Sequence, residues 1–177
     1  MIEAVHQIDA ALLGLVNDFA GSDAGRDRSL LFLRDSYLLK GVVVMMVWWG
    51  LWFRRGTQQN HDRTRLLATV FVAFAAIFVG RLLAVVLPFR NRPIHDDDLN
   101  INVPIGMDAK ILSDWSSLPS DHAVYFVTLA VGILLVHRLL GALLLVHAMV
   151  IVALPRVYSG VHFPGDILVG AVVGVIV

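Results

Sequence analysis

The run Pro155-Arg156-Val157-Tyr158-Ser159-Gly160-Val161-His162-Phe163-Pro164-Gly165-Asp166 sets an arginine, a histidine and an aspartate between two stretches of hydrocarbon. Before it, residues 139–154 carry His147 as their one titratable side chain; after it, residues 167–177 carry none. Ionisable groups at such depth are costly and are kept where they pair or act. Working outward, Pro119-Ser120-Asp121-His122 immediately precedes another apolar stretch, and Arg90-Asn91-Arg92-Pro93 follows a third. Two histidines, an aspartate and several arginines, each at the end of an apolar segment, read as a phosphate-ester site at a bilayer surface.

The rest of the chain supports a membrane setting. Of 177 residues 58% are apolar and 16% charged, with a mean hydropathy of +0.75, outside the soluble globular norm. A crossing needs ~20 mostly apolar residues. The expected fold is all-α, a polytopic membrane helical bundle forming a single domain over 1–177, with spans near 37–53, 66–87, 121–136, 139–154 and 165–177. The last is too short to cross and is expected to continue past Val177. Ile2, Val5, Ile8, Leu12, Leu15, Val16 and Phe19 recur at helical spacing among Glu3, His6, Gln7 and Asp9. This predicts an amphipathic N-terminal helix lying in the interface. The start lacks a basic region before an apolar core, so no cleavable signal peptide is expected.

Loop charge predicts sidedness. Arg54 to Arg65 holds four arginines and one aspartate, which puts that loop in the cytoplasm. The loop from Phe89 to Leu118 and the turn from Pro155 to Pro164 then fall outside, so all three polar motifs share the non-cytoplasmic face. Zero net charge gives no field for nucleic acid, and the lack of cysteine removes thiolate chemistry and Cys-based metal sites.

Each motif admits a chemical and a structural reading. Ser120 is a natural N-cap, and the helix it opens offers free N–H groups and a positive dipole end to an anion, with His122 in the same turn. The structural alternative is a capped helix whose histidine meets lipid headgroups. Pro164 suits a first helical turn, leaving Asp166 close enough to orient the His162 ring. Arg156 offers a planar fork for phosphate oxygens; the alternative is an Arg156–Asp166 pair fixing a loop. Arg90 and Arg92 serve either phosphate or headgroups. Arg81 lies within a span and is expected to face inward, onto a carboxylate or a substrate phosphate. His147 is expected to bond a neighbouring helix, with a substrate-path role as the alternative. Asp96-Asp97-Asp98 reads as a solvated acidic loop more readily than a divalent-cation site.

These motifs resemble those of the type 2 phosphatidic acid phosphatase (PAP2) superfamily, whose pattern is Lys-x6-Arg-Pro, Pro-Ser-Gly-His and Ser-Arg-x5-His-x3-Asp. Here Arg92-Pro93, Pro119-Ser120-Asp121-His122 and Arg156-x5-His162-x3-Asp166 match in order. The family lysine is replaced by Val85, the motif glycine by Asp121 and the motif serine by Pro155. The resemblance implies a PAP2/chloroperoxidase-like core and a metal-independent phosphatase with no cofactor. It further implies His162 as nucleophile, Asp166 as its orienting group and His122 as general acid–base. Arg92, Arg156, Ser120 and the helix-mouth amides, Asp121 among them, would hold phosphate, with Arg81 or Arg90 standing in for the lysine.

The implied substrate is a lipid phosphate, and the short chain is similar to bacterial undecaprenyl-diphosphate phosphatases. The expected location is the bacterial inner membrane, with the site on its outer face. Phosphatidylglycerophosphate, phosphatidate and lipid A phosphate, or phosphoryl transfer between lipids, are the alternatives within that chemistry. A small transporter is the alternative from another class.

Overall fold

The computed structural model describes residues 2–177, with side chains from His6 onward. Among the described residues it is all-helical, with no strand. Seven helices follow in order: α1 (Ile2–Asn17), α2 (Ala24–Asp35), α3 (Leu38–Phe53), α4 (Gln59–Val86), α5 (Asp121–Leu134), α6 (Arg138–Tyr158) and α7 (Pro164–Ile176). A single 3₁₀ turn, Pro93–His95, interrupts the long connection between α4 and α5.

α4 and α6 are each long and apolar enough to cross a membrane, whereas α3, α5 and α7 are shorter apolar helices. α4 begins at Gln59, ahead of its apolar segment, because the first turn is stabilised by Asp62 accepting from Arg54 Nη2 at 3.0 Å. α6 continues through Pro155 to Tyr158. It does so by way of a π-helical stretch, Ala148–Ala153, just before the proline, and this local widening accommodates a residue that cannot donate a backbone hydrogen bond.

The centre of the bundle is α5. It buries Ala123, Val124, Phe126, Val127, Thr128, Leu129, Ala130 and Ile133 on nearly every side, as a helix apolar all round must. α4, α6 and α7 pack around it. Small residues set the closest approach: a Cβ on Gly170 would meet the Ser120 carbonyl at 2.7 Å, and one on Gly174 the Val124 carbonyl at 2.6 Å. Thr128 Oγ1 then donates across to the Gly174 carbonyl at 3.0 Å. Small residues at a helix contact, with a hydroxyl bonded across it, are how apolar helices associate without a hydrophobic drive between them.

The outward face of α4 is the reverse of a soluble helix. Leu67, Phe71, Phe74, Phe78, Leu82 and Val85 are exposed, whereas Thr69, Ala73, Ala76 and Gly80 are buried. α1 is inverted in the same way: Ile8, Leu12 and Leu15 are exposed, while Asp9 and Asn17 are buried beside Leu13. The helix therefore docks through its polar stripe. Asn17 bonds the carbonyls of Asn102 and Tyr158 and accepts from Asn102 N, and Asp9 reaches the start of α7.

The Arg54–Arg65 segment sits at the far end of α5, where Arg65 Nη1 donates to the Leu135 carbonyl at 3.0 Å. The C-terminus of α4 and the N-termini of α5 and α7 gather at the opposite end. Every polar motif of the sequence comes together there.

Candidate active site

A cavity of about 500 Å³ opens at that end. Its wall includes Arg81, Arg92, Asp121, His122, Arg156 and His162 from the sequence motifs. Arg34, Asp35, Tyr37 and Lys40, from the α2–α3 corner, close the other side. Five cationic side chains thus face two carboxylates. Arg34 is spent on Asp35, through bonds of 2.7 and 2.9 Å, and this fork holds the Asp35 carboxyl below its ordinary range. Arg81 pairs with Asp121 at 2.7 Å and lies 4.7 Å over the Trp115 ring. Among the described residues, Lys40, Arg92 and Arg156 have no carboxylate partner. The cavity is built for an anion.

His162 is buried between α6 and α7, in the turn that follows Gly160. That glycine adopts φ +67°, and a Cβ there would lie 2.8 Å from Ile101, so the reversal of the chain requires glycine. His162 Nδ1 lies 2.9 Å from the Ser117 carbonyl and 3.6 Å from Asp166 Oδ2. A carbonyl can only accept, so Nδ1 carries the proton and Nε2 keeps its lone pair. Nε2 stands 3.3 Å from Arg92 Nη1. Burial lowers the affinity of His162 for a second proton, opposed by its contact with Asp166 and reinforced by Arg92. Burial and Arg92 together favour the neutral ring.

Two backbone carbonyls hold the Arg92 guanidinium in place. Its Nη1 donates to the Val161 carbonyl at 2.9 Å and its Nη2 to the Ser116 carbonyl at 3.3 Å. Burial pulls this guanidinium below its ordinary value, with Asp166 and Asp121 acting against that. Arg156 is buried and gives one N–H to the Val152 carbonyl at 2.6 Å. That bond draws on the π-helical stretch of α6.

Three sequence expectations meet a different geometry. Arg90, expected at the phosphate, does not line the cavity. Its Nη1 bonds Asp166 Oδ1 and its Nη2 bonds Asp9 Oδ2, both at 2.6 Å, and it lies 4.1 Å over Phe163. It is a clasp behind His162, and Asp166 pairs with it, not with Arg156. Ser120 occupies the N-cap position of α5 but makes no side-chain cap, and its buried hydroxyl has no partner. It too lies outside the cavity wall. Asp166, expected to orient His162, is the more distant of the two acceptors facing Nδ1. Its nearer partners are Arg90 and the Phe163 N–H, at 2.9 Å.

Other expectations match what is seen. Pro164 opens α7 with Asp166 inside its first turn. Arg81 finds a carboxylate, but its side chain is half exposed and not turned wholly inward. His147 Nε2 contacts the Lys40 carbonyl at 3.3 Å, tying α6 to α3. Asp96 Oδ1 accepts from Asp98 N at 3.2 Å, a local turn. Lys40 carries the same signal in the sequence as Arg81: it is a cation at the fourth residue of an apolar span. Asp9 carries no such signal, because its partners are separated from it by more than eighty residues.

Residues 88–177 match the PAP2 superfamily. YbjG of Escherichia coli (strain K12), assigned by name to the undecaprenyl-diphosphatases, is 27% identical over 97% of this chain and 80% of its own length. A Bacillus licheniformis protein named bacitracin transport permease protein BcrC is 27% identical over 88% of this chain and 72% of its own. The Bacillus subtilis (strain 168) undecaprenyl-diphosphatase BcrC is 22% identical over 85% and 70%. The crystal structure of Aquifex aeolicus LpxE superposes with a TM-score of 0.61, at 24% identity, over 94% of this chain and 89% of that one. Its likeness is one of fold.

Proposed function

Because the chain belongs to the PAP2 superfamily, we propose that it is a multi-pass membrane enzyme that hydrolyses a polyprenyl diphosphate, with undecaprenyl diphosphate as the favoured substrate. The observation that carries this reading is the placement of His162. Its Nδ1 is fixed on the Ser117 carbonyl and its Nε2 faces Arg92 inside a cationic cavity. The diphosphatase names of two relatives support the choice of substrate.

In this mechanism Arg92 and Arg156 bind the non-bridging oxygens of the terminal phosphate. The incoming phosphoryl group displaces the Nε2–Arg92 contact, and Nε2 attacks phosphorus. The phosphorus–oxygen bond to the leaving group breaks with its electron pair, and His122 supplies the proton. A phosphohistidine remains. Deprotonated His122 then takes a proton from water, which attacks phosphorus and restores His162. Held donors aimed at the transferring group are the main source of rate in such a site. Asp166 and Arg90 keep His162 and the α7 mouth in place. No metal is required by this scheme.

The loop arginines between α3 and α4 support placing that end in the cytoplasm and the cavity on the outer face of the bacterial inner membrane. The exposed apolar stripes of α4 and α1 support contact with lipid, and the three shorter apolar helices complete a polytopic bundle. The transport in one relative's name favours a carrier less well here, because the cations cluster at one end and His147 is engaged by Lys40.

The test is phosphate release from undecaprenyl diphosphate by detergent-solubilised protein, with and without EDTA. Activity that survives EDTA and is lost in His162→Ala is expected. Full activity in His162→Ala would refute the nucleophile, and EDTA sensitivity would refute metal independence.

A further inference from the structure

The α2–α3 corner contributes one cation that this mechanism leaves unused. Lys40 is 3% exposed, lies in the π-helical first turn of α3, and has no carboxylate partner among the described residues. Its Nζ donates to the Arg34 carbonyl at 2.6 Å and sits 4.8 Å over the Tyr37 ring. An ammonium has three N–H donors, so two remain for a ligand. The backbone is pinned as well, since the Lys40 carbonyl meets His147 Nε2.

The position of Lys40 gives it meaning. A second cavity of about 340 Å³ is lined by Tyr37, Lys40, Gly41, Ile77, Tyr125 and Phe126, together with Asp121 and His122. It shares Tyr37, Lys40, Asp121 and His122 with the first. One side of that junction is cationic, and the other is mostly hydrocarbon and aromatic. A lipid diphosphate laid across it has its terminal phosphate at Arg92 and His162, and the first carbons of its tail against Ile77, Tyr125 and Phe126. The phosphate that joins them falls at Lys40 and His122.

We propose that Lys40 is the specificity residue for a diphosphate: it binds the tail-proximal phosphate, which is the leaving group. The proposal rests on the phosphatase reading above. As the His162 Nε2–phosphorus bond forms, the bridging phosphorus–oxygen bond breaks and its electron pair goes to the lipid monophosphate. The departing group gains charge beside the Lys40 ammonium until His122 supplies its proton. A lipid monophosphate places its one phosphate at His162 and leaves Lys40 without a ligand.

The experiment compares farnesyl diphosphate with a lipid monophosphate, phosphatidate, on full-length protein in detergent. Losing a charge-assisted hydrogen bond is worth roughly 10- to 100-fold. For Lys40→Met the ratio of kcat/KM for diphosphate over monophosphate is expected to fall by that factor, with Lys40→Arg keeping most of it. Lys110→Met, at the other lysine of the chain and outside both cavities, is the control and leaves the ratio alone. A wild-type measurement independent of any variant's folding is competition. Methylenediphosphonate should inhibit at least about tenfold more tightly than orthophosphate, and that preference should vanish in Lys40→Met. An unchanged ratio, an equal loss on both substrates, or no preference for the diphosphonate would overturn the assignment. Wild-type protein releasing phosphate from neither lipid would instead sink the phosphatase reading itself.

Discussion

Replacing Arg90 by methionine separates a clasp from a substrate contact. The guanidinium joins Asp9 and Asp166, whose side chains are 6% and 0% exposed. Methionine keeps much of the volume and strands both carboxylates. At an effective dielectric of ~20, unit charges ~4 Å apart attract by about 4 kcal/mol, and both contacts here are at 2.6 Å. Removing one partner of a buried pair costs about 3–5 kcal/mol in measured cases. Arg90 itself is 24% exposed, so water relieves part of the loss and the lower figure, about 3 kcal/mol, is the expectation. For a chain of this length that is a fall in melting temperature of about 6–12 °C.

The assay is thermal unfolding in detergent, read alongside steady-state kinetics. KM for the lipid substrate should change less than about twofold while kcat falls, the signature of lost positioning without lost binding. The double variant Asp9→Asn/Arg90→Met removes one of the stranded charges and should recover about 1–2 kcal/mol, a coupling expected between groups in contact. A variant with wild-type stability and a tenfold weaker inhibition by orthophosphate would refute this account and put Arg90 on the phosphate.

Acid should weaken the protein through His162. Its folded affinity for a proton is lowered, so below the ordinary histidine value of about 6.5 the unfolded chain binds a proton that the native one does not. Stability then rises with pH up to about 6.5 and levels off above it; His162→Gln should flatten that slope, and an unchanged slope would count against it. Ser120→Ala removes a buried hydroxyl without a partner, so thermal stability should hold or rise slightly; a marked loss of kcat with stability intact would show that the hydroxyl turns to the phosphate. Gly174→Leu forces a side chain against the Val124 carbonyl, 2.6 Å from its first carbon, and should lower the melting temperature by several degrees, at a cost of about 1–3 kcal/mol. A stable Gly174→Leu would mean that the α5–α7 contact is looser than it stands here.

The all-helical fold could be read directly from the chain, because apolar runs of helical length leave no other way to satisfy backbone groups. The polar motifs were legible for the same reason: an arginine or histidine at the end of hydrocarbon announces itself. That His162, His122 and Arg92 would share one end of the bundle followed from counting spans between them. Proline and glycine at 160–165 marked the turn that holds His162.

What each polar side chain does was decided by distance across the fold, which sequence spacing does not encode. Arg90 and Arg92 are two residues apart, yet one faces the cavity and the other faces away, onto Asp9 and Asp166. Asp166 stands four residues from His162, but the nearer acceptor is the Ser117 carbonyl, from the loop before α5. The sequence pattern left a gap where a family lysine would stand. The fold brings Lys40 to the opposite wall of the same cavity, carried there by the corner between α2 and α3. Hydrocarbon periodicity fixes which segments become helices, because that choice is local. Which charges meet is settled only when the helices pack, since a buried cation is stable only opposite an anion or a dipole that the tertiary fold delivers.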